Sequence, residues 1–166
     1  MSGTFEHIHV PPTLVSFAVT TQKTKDIVSP EFKGAGHKLI RISPKLNADG
    51  LPNSESLIKV FDLVTKLLRS GKAVAAYTPG IGGIAEAVMK MSFGNDIGFK
   101  FDDGLGVNDI FAKRYNTFLL EMADGGAEST ADYDVITVGE TSAEAKISLG
   151  AESIELKELL NVYESK

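Results

Sequence analysis

Leu57, Val60, Phe61, Val64, Leu67 and Leu68 recur at the spacing of one helical face, and this stripe constrains the fold more than any other feature of the chain. A helix that is apolar on one side has to cover another layer of structure. Asn53 or Ser54 can cap its start, and Glu55 falls in the first turn. Lys66 and Arg69 suit the negative end of the helix dipole, and Gly71 stands just past the last turn. A short apolar strand follows over Ala73 to Tyr77, then a glycine-rich turn from Pro79 to Gly83. A second helix is predicted from about Gly83 to Phe93, with Ile84, Val88 and Met91 on one face and Gly94-Asn95 closing it.

The remaining segments are mostly strand-like. Lys38 to Ile42 and Ile97 to Phe101 alternate, and Thr117 to Met122, Asp134 to Val138 and Ala145 to Leu149 read as further strands. The first ten residues also alternate, with Phe5, His7 and His9 on one side, until Pro11-Pro12 stops the pattern. Thr13 to Thr20 (TLVSFAVT) is rich in β-branched residues and reads as a buried strand. A short helix is predicted near Asn108 to Arg114 and a last one from Ile154 to Tyr163. Helices alternate with strands, but strands are more numerous. The expected class is therefore α/β in the broad sense (α+β), a mixed sheet with helices packed on it.

The length of 166 residues fits one domain. No apolar run reaches the length of a membrane span, and there is no cysteine for a disulfide or thiolate site. The net charge of −5 is spread along the chain, which argues against nucleic acid as a partner. A cytoplasmic location is the expectation that follows.

Tyr77-Thr78-Pro79-Gly80-Ile81-Gly82-Gly83-Ile84 is the segment most able to carry chemistry. Its glycines let a strand turn tightly into a helix whose first amides and dipole attract an anion, so Gly80, Gly82 and Gly83 are candidate backbone contacts for phosphate. The competing explanation is a tight turn with close helix–sheet packing and no ligand. Gly80, Gly82 and Ala85, with Asp102 further on, also match the alanine-ended dinucleotide fingerprint, although the chain has too few helix–strand alternations for a doubly wound domain. Lys33-Gly34-Ala35-Gly36-His37-Lys38 is a second loop with phosphate-binding residue types, or simply a lead into the next strand. His7 and His9 lack a third metal ligand, and Asp102-Asp103 and Asp132-Asp134 read as solvated acids, so no metal site is expected. No nucleophile spacing is present, and no catalytic residue is assigned.

Three blocks together resemble the carboxyl-terminal domain shared by aminoimidazole ribonucleotide (AIR) synthase and its relatives. They are Pro11 to Ala18, Ser29 to Ile40, and Ala75 to Ala87, the last extended by Met89 to Gly94. The chain is most similar to the second such domain of phosphoribosylformylglycinamidine synthases. Met1-Ser2 resembles the end of a motif in the preceding domain, and Leu159 to Ser165 resembles the lead into a glutaminase domain. The resemblance implies that residues 1–12 are the tail of a preceding domain or linker and that 13–166 form the AIR-synthase-related domain, cut from a longer polypeptide.

The family's reaction is the ATP- and glutamine-dependent conversion of formylglycinamide ribonucleotide to its amidine in purine biosynthesis. The resemblance implies ATP and magnesium as cofactors of the full-length enzyme, with none bound tightly by this piece alone. The implied partners are the preceding AIR-synthase-like domains and the following glutaminase domain, with a homodimer of the fragment as a further possibility. The family's glycine turn reads His-Asp-x-Ser-Asp-Gly-Gly; here Tyr77 to Gly83 keep only the two glycines and lose both acids. The isolated piece is therefore expected not to turn over. The rival reading is a non-catalytic scaffolding or dimerisation module with a degenerate nucleotide site.

Overall fold

The computed structural model describes residues 3–113 and 115–165. The chain opens with a small antiparallel hairpin of β1 (Gly3–Phe5) and β2 (Ile8–Val10). Residues 11–37 then run outside regular structure, apart from one 3-10 turn at Thr24–Asp26. The body follows in the order β3 (Lys38–Pro44), α1 (Ser54–Arg69), β4 (Ala73–Tyr77), α2 (Gly83–Phe93), β5 (Gly98–Phe101) and α3 (Val107–Phe111). It ends with β6 (Phe118–Met122), β7 (Tyr133–Ser142), β8 (Lys146–Leu149), β9 (Glu152–Glu155) and α4 (Leu156–Glu164).

Seven strands form one sheet in the order β4-β6-β3-β7-β5-β8-β9. Every neighbouring pair is antiparallel except β5 and β8, which run parallel. This is the expected mixed sheet. It is not a doubly wound domain, so the Gly80-Gly82-Ala85 match to a dinucleotide fingerprint lacks the architecture that gives such a motif its meaning.

Successive strand residues face opposite sides, and β6 shows the result. Leu119 joins an apolar cluster with Ile84, Val88 and Met91 of α2, Ile110 of α3 and Phe99 of β5. Leu120 and Met122 join a second cluster with Val60, Val64 and Leu67 of α1. The sheet is thus covered by α1 on one side and by α2 and α3 on the other. Burial of each such Val or Leu side chain is worth roughly 1.5–3 kcal/mol, which is why α1 sits where its stripe points. Asn53 caps α1 by accepting from the Ser56 amide at 3.0 Å. Phe61, counted in the predicted stripe, lies at its margin, half exposed and edge-on to Phe118.

Three sequence expectations need correction. Thr13 to Thr20 is not a buried strand: the whole segment is exposed and belongs to none of the strands. Its pattern records a capacity for burial, but pairing needs a neighbour that this body does not place beside it. The alternation of the first ten residues is a hairpin rather than one strand, because Glu6 turns the chain with φ 50°. The last helix begins at Leu156 instead of Ile154, since residues 152–155 pair with β8. The predicted end of the short helix at Arg114, and Met1-Ser2, lie outside the described residues.

Candidate functional site

The glycine turn joins β4 to α2 as expected, and the structure gives two of its three glycines a packing reason. Gly83 has φ +67°, and a Cβ there would come within 2.6 Å of the Ala112 carbonyl oxygen and 2.7 Å of that of Ile110. A side chain at Gly83 would therefore strain the backbone and push α3 off the start of α2. At Gly82 a Cβ would meet the Glu86 side chain at 2.6 Å. Gly80 is different, because the nearest atom to its Cβ position is Glu86 Oε2 at 3.8 Å.

The turn already holds an anion of its own. Glu86, one helical turn into α2, folds back so that Oε2 accepts from the Gly82 amide at 2.8 Å. Its other oxygen accepts from Lys90 Nζ at 2.6 Å. Lys90, and next the Gly82 amide, hold the Glu86 carboxyl below the usual carboxylate range, and the same pair raises Lys90. The Gly83 amide donates to the Gly80 carbonyl at 3.2 Å. Among the three predicted phosphate contacts, Gly82 and Gly83 thus have their amides engaged within the turn. Beside it opens an apolar cleft of about 430 Å³ between α2 and the β8–β9 hairpin, lined by Ala85, Met89, Phe111, Ile147, Leu149 and Leu159 among others.

The second predicted loop, Lys33 to Lys38, is organised around a residue that the sequence reading passed over. Glu121 of β6 is completely buried. Its carboxylate accepts from the Lys33 amide at 2.9 Å, the Gly34 amide at 3.1 Å and His37 Nδ1 at 2.7 Å. Thr141 closes the loop from the other side, its hydroxyl accepting from the His37 amide at 2.8 Å and donating to the Gly34 carbonyl at 2.7 Å. Lys33 Nζ turns back to Ser29 and Glu31, at 2.9 Å and 2.8 Å, rather than outward to a ligand. Lys33, and next Ser29, lower the Glu31 carboxyl to about 2. The loop is a clasp on a buried acid. The available signal was a lone acid in an otherwise apolar strand, Phe-Leu-Leu-Glu-Met, on the same face as Leu119.

The remaining candidates do not assemble. His9 pairs with Thr4 across the hairpin, at 3.2 Å, while His7 sits in its turn. Asp132 and Asp134 are bound to Lys59 and Lys45 at 2.7 and 2.5 Å. Among the described residues no group of three or more His, Cys, Asp or Glu side chains is placed to hold a metal ion.

No family model and no curated protein matches the sequence. Solved structures do match. A complex described as PurLQS from Thermotoga maritima aligns with a TM-score of 0.62 at 10% identity, over 82% of this chain and 28% of that one. The same organism's PurL complexed with AMPPCP aligns at 0.60 and 12%, over 82% and 27%. Its phosphoribosylformylglycinamidine synthase II aligns at 0.59 and 11%, over 82% and 28%. PurL from this source has also been solved with ATP, with ADP and with FGAR. The chain spans less than a third of the length of these proteins. With its mixed seven-stranded sheet covered by helices, the chain has the fold of a domain of phosphoribosylformylglycinamidine synthase II.

Proposed function

We propose that the chain serves as one domain of an ATP- and glutamine-dependent phosphoribosylformylglycinamidine synthase, acting in cytoplasmic purine biosynthesis. The observation that carries this reading is the fold shared with PurL chains, some of them complexed with ATP, ADP or FGAR. In this reading residues 13–166 are the AIR-synthase-related unit, and residues 1–12 connect it to a preceding domain. A nucleotide phosphate lies against the backbone of Gly80, Gly82 and Gly83, and entry of that phosphate displaces the Glu86 carboxylate from the Gly82 amide. Magnesium is held elsewhere in the assembly, because Thr78 and Ile81 stand where the resembled motif has acids. Preceding synthase domains and a glutaminase supply the other walls of the site and the ammonia. The chain by itself is expected to bind nucleotide weakly and to turn nothing over.

Titration calorimetry with ATP and ADP, with and without magnesium, tests this reading. Gly80→Asp is the informative variant, since the space around Gly80 accepts a side chain while the added charge repels phosphate. Binding that the variant abolishes supports a phosphate site on the turn. Absence of heat at millimolar nucleotide removes it.

The self-occupied turn favours a second reading, a non-catalytic scaffolding or dimerisation module with a degenerate nucleotide site. That reading predicts no nucleotide binding and a stable association through another surface.

A further inference from the structure

The cleft between α2 and the β8–β9 hairpin owes its lining to helix and strand periodicity. Ala85 and Met89 lie four residues apart, on one face of α2. Ile147 and Leu149 alternate onto one side of β8, and β9 sets Ile154 opposite Ile147 and Glu152 opposite Leu149 on that same side. Phe101 of β5 and Ile110 of α3, both buried, lie deepest. Phe111, 59% exposed, and Ile154, 37% exposed, form the open rim. The volume of about 430 Å³ is that of a small-molecule site, which spans roughly 300–1,000 Å³.

Charge decides what can fill it. Glu86 and Glu152 line the cleft and, among the described residues, no lysine, arginine or histidine does. An anionic group is therefore repelled from its interior, whereas an amino group on a ring meets carboxylates that can accept from it. Anions are attracted only next door. Gly82, whose amide already holds a carboxylate, belongs both to the lining and to the turn. A ligand that spans the two carries its charge at one end and an uncharged, apolar-faced body at the other. Phe111 at the rim and the Met89 thioether are surfaces on which a flat ring packs well. An acyl chain would offer nothing to the two carboxylates, and a polar chain would leave Met89 and Phe111 without a partner.

We propose that this cleft takes the amino-bearing base of a nucleotide, packed on Phe111 and Met89 with its amino group donating to a rim carboxylate, while the phosphates lie on the Gly80–Gly83 turn. The assignment rests on the phosphate reading of that turn and adds to it the class of ligand: a nucleotide with its base, rather than a phosphate ester with a polar chain. Stacking of a base on an aromatic side chain changes affinity by about 5- to 150-fold. The base thus offsets what displacing Glu86 from the Gly82 amide takes away.

Calorimetry of the full chain with ADP, inorganic pyrophosphate and adenosine, combined with amide NMR shifts, tests the proposal against Phe111→Ala. Phe111 is more than half exposed, so the variant should keep the melting of the body. ADP is expected to bind about tenfold or more tightly than pyrophosphate. Phe111→Ala should erase that difference while leaving pyrophosphate unchanged, and Ala85→Leu, which puts bulk into the cleft, should do the same. Adenosine should shift amides of residues 85–89, 110–111 and 147–154 in the parent chain and in Gly80→Asp, but not in Phe111→Ala. Equal affinities for ADP and pyrophosphate, with Phe111→Ala inert, overturn the cleft assignment and leave the phosphate turn standing. Adenosine binding without any response to pyrophosphate supports the cleft and removes the phosphate from the turn. Adenosine shifts confined to another surface overturn the assignment. Silence from all three probes overturns it together with the phosphate reading.

Discussion

Replacing Glu121 by leucine should damage this domain more than any other single change to a charged side chain. Leucine fills a similar volume on the strand face that Glu121 shares with Leu119, which joins the apolar cluster there, so little packing is lost. What disappears is the acceptor for three donors: the Lys33 amide, the Gly34 amide and His37 Nδ1. A buried donor left without a partner costs about 1–3 kcal/mol. Three of them would suggest a sum above that range, but His37 is about a quarter exposed, with 25% of its side chain open to water. Water can therefore reach part of the clasp, and the expected loss is about 3–5 kcal/mol, the usual range for stripping one partner from a buried charged network. For a domain whose total stability is on the order of 5–15 kcal/mol, that is a large fraction. Urea unfolding followed by circular dichroism should show the midpoint fall at unchanged slope, and thermal melting should drop by about 10 °C or more. Glu121→Gln keeps one acceptor oxygen and should lose roughly half as much. If Glu121→Leu costs under about 1 kcal/mol, the clasp is not what holds the 32–37 segment to the sheet, and the reasoning fails.

Gly83→Ala should cost about 2 kcal/mol or more, read by thermal melting, because it combines a positive φ with backbone oxygens 2.6 and 2.7 Å from the new Cβ. Asn53→Ala removes the α1 cap and should cost about 1 kcal/mol, with Asn53→Asp close to neutral. The Glu31 carboxyl should titrate near 2 by NMR, and Lys33→Ala should move it up toward 4.5. Since its folded value lies below its unfolded one, the stability it contributes is fully present above about pH 4.5 and is lost as pH falls toward about 2. Glu86→Ala should tighten phosphate or nucleotide binding about tenfold in calorimetry if the glycine turn is a phosphate site.

Where a segment's neighbours lie within this body, the sequence was a good guide. The α1 stripe, the β4–turn–α2 unit and β5 to β8 all sit close to their predicted positions, because apolar spacing records burial and each had a layer to be buried against. Thr13 to Thr20 misled for the same reason. Its composition is that of a buried strand, yet the surface that would bury it is not in this body. β9 was missed because Glu-Ser-Ile-Glu at the edge of a sheet needs no apolar face to pair. At the candidate site, residue types located the turn but not its occupancy. Spacing cannot show that Glu86 reaches back four residues to Gly82, nor that Glu121 lies opposite a loop 87 and 88 positions away in the chain.

The carboxylate of Glu86 bears directly on how the turn should be read. A helix start that holds its own acid shows that this geometry attracts an anion, which is the property a phosphate site requires. It also shows that the attraction is already satisfied. An incoming phosphate has to break the Glu86–Gly82 cap, worth about 1 kcal/mol, and loosen a water-accessible, partly buried ion pair to Lys90, worth about 0.2–1 kcal/mol. Together these amount to about a tenfold penalty on binding, small against the multiple contacts a triphosphate can make but decisive for a single phosphate. Lys90, once released from Glu86, stands one helical turn further along α2 and is a cation that phosphate could recruit. The Glu86→Ala experiment separates the two readings. Tighter nucleotide binding means the acid is a competitor at a working site, whereas unchanged silence together with lower stability means it is simply the cap of α2.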